Sequence, residues 1–137
     1  MSVMSPAVSD LAVLIRSMGP ELHPGVFAYC VVPKGSDVSV LSPVATVAES
    51  EGLTLVLPEE QAVQAGLAVR FRAAWITLTV HSDLEAVGLT AAFAGALGRA
   101  GISCNVIAGT YHDHIFVPVE KAQAALDALQ ALQQQAQ

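Results

Sequence analysis

The chain has 137 residues, 53% of them hydrophobic and only 13% charged, with 6 basic against 12 acidic side chains for a net charge of −6. That length admits one compact domain or two small modules sharing a core, and that apolar content excludes intrinsic disorder. The six cations (Arg16, Lys34, Arg70, Arg72, Arg99 and Lys121) are scattered, whereas nucleic acids and anionic membranes require clustered Lys and Arg, so neither is expected as a partner.

The stretch Met1 to Asp10 holds no basic residue ahead of an apolar run, and Arg70, Arg72, Asp83, Glu85 and Arg99 interrupt every candidate of about 18 apolar residues. Neither a signal peptide nor a membrane-spanning helix is expected, which points to a cytoplasmic protein. Cys30 and Cys104 form no CxxC pair and read as reduced, buried thiols. The apolar excess is more than a core of this size conceals, a first sign of self-association.

In chain order, Leu11, Leu14, Ile15 and Met18 recur at helical spacing, so a helix over Ser9 to Met18 is expected, stopped by Gly19-Pro20. Gly25 to Val32 reads as a strand closed by the turn Pro33-Lys34-Gly35. Val44 to Glu49 alternates weakly, Glu51-Gly52 is a turn, and Leu53 to Leu57 is a short apolar strand. Pro58-Glu59-Glu60 opens a two-turn helix, with acids at the positive end of its dipole and Gly66 as its stop.

Phe71 to Val80 is the strongest strand pattern, rich in aromatic and β-branched residues. Ser82 and Glu85 form a capping box that predicts a helix running on to Ala100, with Leu89, Phe93 and Leu97 on one stripe. Gly88, Gly95 and Gly98 beside Ala91 and Ala94 make another face small, which suggests close approach of a neighbouring backbone or ligand. Ile102 to Tyr111 and His114 to Val119 read as strands joined at His112-Asp113. A last helix follows from Glu120 to Leu132, with fraying from Gln133.

This order, αβββα then βαββα, predicts an α+β fold of two interlocked ferredoxin-like subdomains, residues 1–70 and 71–137, whose antiparallel sheets are covered by helices on one face. The second half lacks a closing strand, which the first half must supply, and Leu53 to Leu57 is the expected donor.

Catalytic templates are missing: there is no GxSxG, GxxxxGK[ST], HExxH or CxxC. Two blocks concentrate polar groups. The first is His81 to Gly88, where free amides at a helix start can receive an anion. The second is Tyr111-His112-Asp113-His114, where alternation puts His112 and His114 on one side and Asp113 opposite if the strand runs through them. With His81 these could form a three-histidine metal site, but a hairpin with Asp at its turn needs no metal. A nucleophilic Cys104 is disfavoured, because burial in a strand would raise its pKa.

At these same residues the sequence resembles a known family. His81-Ser82-Asp83-Leu84-Glu85-Ala86-Val87-Gly88-Leu89-Thr90, Gly101-Ile102-Ser103-Cys104-Asn105-Val106 and Tyr111 to Pro118 resemble bacterial ACT-domain proteins once classed as a domain of unknown function. Met18 to Leu22, Gly25 to Phe27 and Glu49 to Leu57 extend the resemblance over nearly the whole chain. The family pattern usually carries Ser where this chain has Asp83.

The resemblance implies βαββαβ modules that bind amino acids or related small metabolites, similar to the tandem ACT units of aspartate kinases and cytosolic arginine sensors. It implies a non-catalytic regulatory protein, with no cofactor or metal, that forms a homo-oligomer, in the first instance a dimer. Carried onto this sequence, the ligand-binding residues are Ser82, Asp83, Leu84, Glu85, Ala86, Val87, Gly88, Asn105, His112, Asp113 and His114. Backbone amides of Leu84 to Gly88 would hold a carboxylate, Asp113 an ammonium, and Asn105 and His114 would orient the ligand. Two alternatives stay open here: a metal-dependent enzyme using His81, His112 and His114, and a purely structural regulatory partner of a larger enzyme.

Overall fold

The computed structural model describes residues 10–80, 84 and 87–136. By its internal contacts the chain forms two compact units, one from Pro24–Ala74 and one from the segments Met1–His23 and Trp75–Gln137. The α+β class and the ferredoxin-like layering expected from the sequence are both present.

In the Pro24–Ala74 unit, strands β2 (Phe27–Val32), β3 (Ala45–Glu49) and β4 (Gly52–Pro58), with the first residues of β5 (Phe71–Leu78), pair antiparallel in the order β3-β4-β2-β5. Alternation along β2 and β4 sends Ala28, Cys30, Val32, Leu55 and Leu57 to one face, where helix α2 (Glu59–Gln64) adds Ala62. Val38, Leu41, Leu67 and Val69 close this core from the loops. Between β2 and β3 the chain runs through turns instead of a helix, with Ser36 N–H donating to Pro33 and Leu41 N–H to Val38.

The other unit reads β5-α3-β6-β7-α4-β1, with α3 at Leu89–Arg99, β6 at Asn105–Ala108, β7 at Asp113–Pro118, α4 at Ala122–Gln135 and β1 at Pro20–Leu22. That is a βαββαβ module whose last strand precedes the others in sequence. The closing strand is therefore β1, paired antiparallel to Leu78–Ile76 of β5, and not Leu53–Leu57, which lies in β4 between β3 and β2. The sequence reading missed β1 because Gly19-Pro20 reads as a helix stop and three residues carry no alternation.

Helix α1 (Leu11–Arg16) is shorter than expected; it is capped by Asp10, whose carboxylate accepts from Val13 N–H, and it packs with α3 and α4. Leu14, Met18, Phe93, Leu97 and Leu129 are fully enclosed there, each such side chain contributing about 1.5–3 kcal/mol. The Gln-rich end does not fray: α4 continues to Gln135, and the Gln133 amide donates to the Arg16 carbonyl at 3.1 Å. Among the described residues no helix is long and apolar enough to cross a membrane.

Helix α3 begins at Leu89, not after Ser82; the Ser82–Glu85 box itself lies outside the described residues. Nor do its glycines face a close neighbour. A Cβ at Gly98 would meet nothing within 4 Å, and one at Gly95 only the Arg99 guanidinium.

Candidate functional site

Of the residues singled out in the sequence, His112 and Asp113 stand where β7 begins. Strand β7 starts at Asp113, after a turn in which Gly109 N–H donates to the His112 carbonyl at 2.9 Å. The His112 ring Nδ1 lies 3.4 Å from the Val80 carbonyl, just beyond β5. His112 thus sits against the end of β5. Leu84 and Val87 are exposed. His81, Ser82, Asp83, Glu85 and Ala86 lie outside the described residues.

Gly88 occupies the N-cap of α3 with φ of 105° and no side-chain cap bond. A Cβ there would stand 3.1 Å from the Leu11 side chain, so this glycine lets α1 approach as well as turning the chain into the helix. The first amides of α3, up to Ala92, which bonds back to Gly88, have no intrahelical acceptor.

Asp113 is 7% exposed and shares its face of β7 with Ile115 and Val117, the face on which α4 packs. Burial pushes its carboxyl pKa up, opposed by the charges of His114 and His112. His114 points to the opposite face. There its Nδ1 accepts from the Trp75 indole N–H at 3.1 Å and lies 3.0 Å from the Thr77 hydroxyl. Thr77 in turn stands 2.7 Å from His23 Nε2, and the His23 ring stacks on Trp75 at 3.5 Å. Burial lowers the pKa of His114 first, then the charges of His112 and His23; burial also lowers that of His23.

The structure therefore brings Asp113 and His112 to the β5 end, and places His114 in a separate polar network with His23, Trp75 and Thr77. The sequence reading did not include that network. Its one visible signal is Trp75 and Thr77 at period two in the strongest strand. The Asn105 amide donates to the Phe116 carbonyl at 3.3 Å across the β6–β7 pair, so it braces the hairpin. Cys104 precedes β6 instead of lying within a strand, and burial pushes its pKa up to about 11. No group of three or more His, Cys, Asp or Glu side chains arranged to hold a metal occurs among the described residues.

Two small α+β units, one a permuted βαββαβ module, define a tandem ferredoxin-like fold. Two ACT-domain family profiles match, one over residues 6–74 and the other over 70–131, and the chain belongs to the ACT-domain family. A Vibrio cholerae protein of unknown function, described as a possible transport protein, is 57% identical over 90% of this chain and 95% of its own, with a TM-score of 0.81. The regulatory subunit of aspartate kinase from Thermus flavus shares the fold at 12% identity, TM-score 0.63, over 83% of this chain and 96% of that one. E. coli aspartokinase III, solved with aspartate and ADP, matches at 13% identity and TM-score 0.63 over 82% of this chain and 32% of its own. A search of curated proteins finds no match.

Proposed function

We propose that this chain is a non-catalytic regulatory protein that binds an amino acid or a related small metabolite at the β5 end of the second unit, and that it acts in the cytoplasm as a homodimer. The observation that supports the reading is the contact of the His112 ring, one residue before the buried Asp113, with the Val80 carbonyl at 3.4 Å, together with the N-cap of α3 at Gly88, which has no side-chain cap bond. A zwitterion needs amide donors for its carboxylate and an acid for its ammonium. In this reading the segment from Ser82 to Gly88, of which Leu84, Val87 and Gly88 are described, supplies the first, and Asp113 supplies the second. Burial holds the Asp113 carboxyl above its ordinary pKa despite the opposing charges of His114 and His112, and a bound ammonium would offset that cost.

His112 shapes the mouth of this site. Asn105 and His114 support it from the hairpin. The aspartate in the E. coli aspartokinase III complex is a ligand of this class in a protein of the same fold. Thermal-shift measurements with each of the twenty amino acids, on the native chain and on Asp113→Ala, test the reading. At least one amino acid should raise the melting temperature of the native chain more than that of Asp113→Ala; an equal response of the two chains to every amino acid, or no response to any, overturns it.

A further inference from the structure

The Pro24–Ala74 unit carries a cavity of about 420 Å³ of its own, within the range of small-ligand sites. It opens beside Tyr29 and Val31, on the face of β2 turned away from α2, and Thr54, the register partner of Val31, lines it from β4. The β3–β4 turn brings Glu49 and Glu51 to the rim, and Arg70 stands at the foot of β5.

The charges in this cavity have not collapsed onto one another. Among the described residues, the Arg70 guanidinium makes no ion pair although two carboxylates line the same space. Two positions later the contrast is plain: Arg72 grips Glu59 through both Nε and Nη2, at 2.5 and 3.1 Å. The Arg70 backbone and the Glu49 carboxylate are held in place. Arg70 N–H donates to the Tyr29 carbonyl at 2.8 Å, and the Thr54 hydroxyl donates to the Glu49 carboxylate. Gly52 fixes the turn, because a Cβ there would come within 2.7 Å of the Val32 carbonyl oxygen.

We propose that this cavity is a second small-molecule site, selective for an amino acid with a cationic side chain. One cation and two anions lining a small-ligand volume complement a molecule with one carboxylate and two cationic groups. The carboxylate meets Arg70, and the α-ammonium and the side-chain cation meet Glu49 and Glu51. Tyr29 and Val31 supply the apolar floor for the connecting methylenes. This site is independent of the one proposed at Asp113, since all its residues belong to the other unit.

Amide chemical shifts of the full chain, titrated with lysine, arginine, norleucine and glutamate, separate the two sites. Lysine or arginine should move the Gly52, Thr54 and Arg70 amides, and bind more tightly there than norleucine or glutamate. Arg70→Gln, at an exposed position that the fold does not need, should weaken this response by about tenfold, one charge-assisted contact, while any response at Gly88 and Asp113 stays as it was. Silence of the Gly52, Thr54 and Arg70 amides toward all four probes overturns the proposal. So does equal or tighter binding of norleucine or glutamate, or an Arg70→Gln chain that responds like the native one.

Discussion

The Trp75 indole N–H donates to Nδ1 of His114. Indole nitrogen only donates, so Nδ1 must carry a lone pair and the imidazole is neutral with its proton on Nε2. Protonating His114 at Nδ1 breaks this bond and sets two donors against each other. The lowered pKa of the ring, caused mainly by burial, agrees with that geometry. A histidine whose folded pKa falls below its unfolded value of 6.5 leaves the unfolded chain binding more protons. Its contribution to stability is complete above pH 6.5 and is lost as the pH falls from there toward the folded value.

Urea unfolding between pH 7.5 and about 5 is thus expected to show stability declining on the acid side, with a shallower decline in His114→Gln. His23, lowered for the same reason, leaves part of the slope in that variant. Trp75→Phe at pH 7 should cost about 1 kcal/mol, one hydrogen bond, because Thr77 still reaches Nδ1. A pH-independent stability across that range would contradict the neutral assignment.

Asp113 carries the opposite sign. Its pKa is raised by burial, so the folded chain binds the extra proton, and the contribution to stability is greatest below the unfolded value of 3.8 and is lost as the pH rises through the folded value. At neutral pH the ionised carboxylate is a burden on the unliganded protein. Asp113→Asn keeps the shape and removes the charge, and is expected to raise the unliganded stability by about 1 kcal/mol while abolishing the part of the amino-acid-induced thermal shift that Asp113→Ala also removes. A variant that is both less stable and still responsive would separate Asp113 from the proposed site.

Much of this architecture was legible because period and composition act locally. The aromatic and β-branched run Phe71 to Val80 and the stretch His114 to Val119 marked β5 and β7 to within two residues, and strand alternation set Asp113 and His114 on opposite faces. What escaped depends on partners far away in sequence. The three residues of β1 become a strand only because Leu78 to Ile76 offers a free edge. His23, Thr77 and His114 meet across separations of 54 and 37 residues, and Gln133 reaches Arg16 across 117. The start of α3 at Leu89 was likewise not legible, because the positive φ of Gly88 and its packing against Leu11 are tertiary features.

Gly88 tests that last point directly. Its φ of 105° is unfavourable for any residue with a Cβ, and that Cβ would press on the Leu11 side chain at 3.1 Å. Gly88→Ala is expected to cost about 1–3 kcal/mol in urea unfolding. In Leu11→Ala the steric part disappears and the backbone part remains, so the double variant should recover some of the loss but not all of it. Complete recovery would show that the left-handed conformation at Gly88 carries no cost of its own.

Gly52 differs in kind, because the obstacle is backbone. A methyl group there would meet the Val32 carbonyl oxygen at 2.7 Å and the Val31 side chain at 3.0 Å. The carbonyl cannot rotate aside, since Val32 pairs with Leu53 in the β2–β4 ladder. Gly52→Ala must therefore push the β3–β4 turn outward, at an expected cost of about 1–3 kcal/mol by overpacking. Glu49 and Glu51 move with the turn, so the same variant should lose the lysine and arginine response at Thr54 and Arg70 even at temperatures where it remains folded. Chemical shifts at Gly88 and Asp113, in the other unit, should stay at their native values; a general loss of dispersion there would mean that Gly52 supports the whole chain instead of one turn.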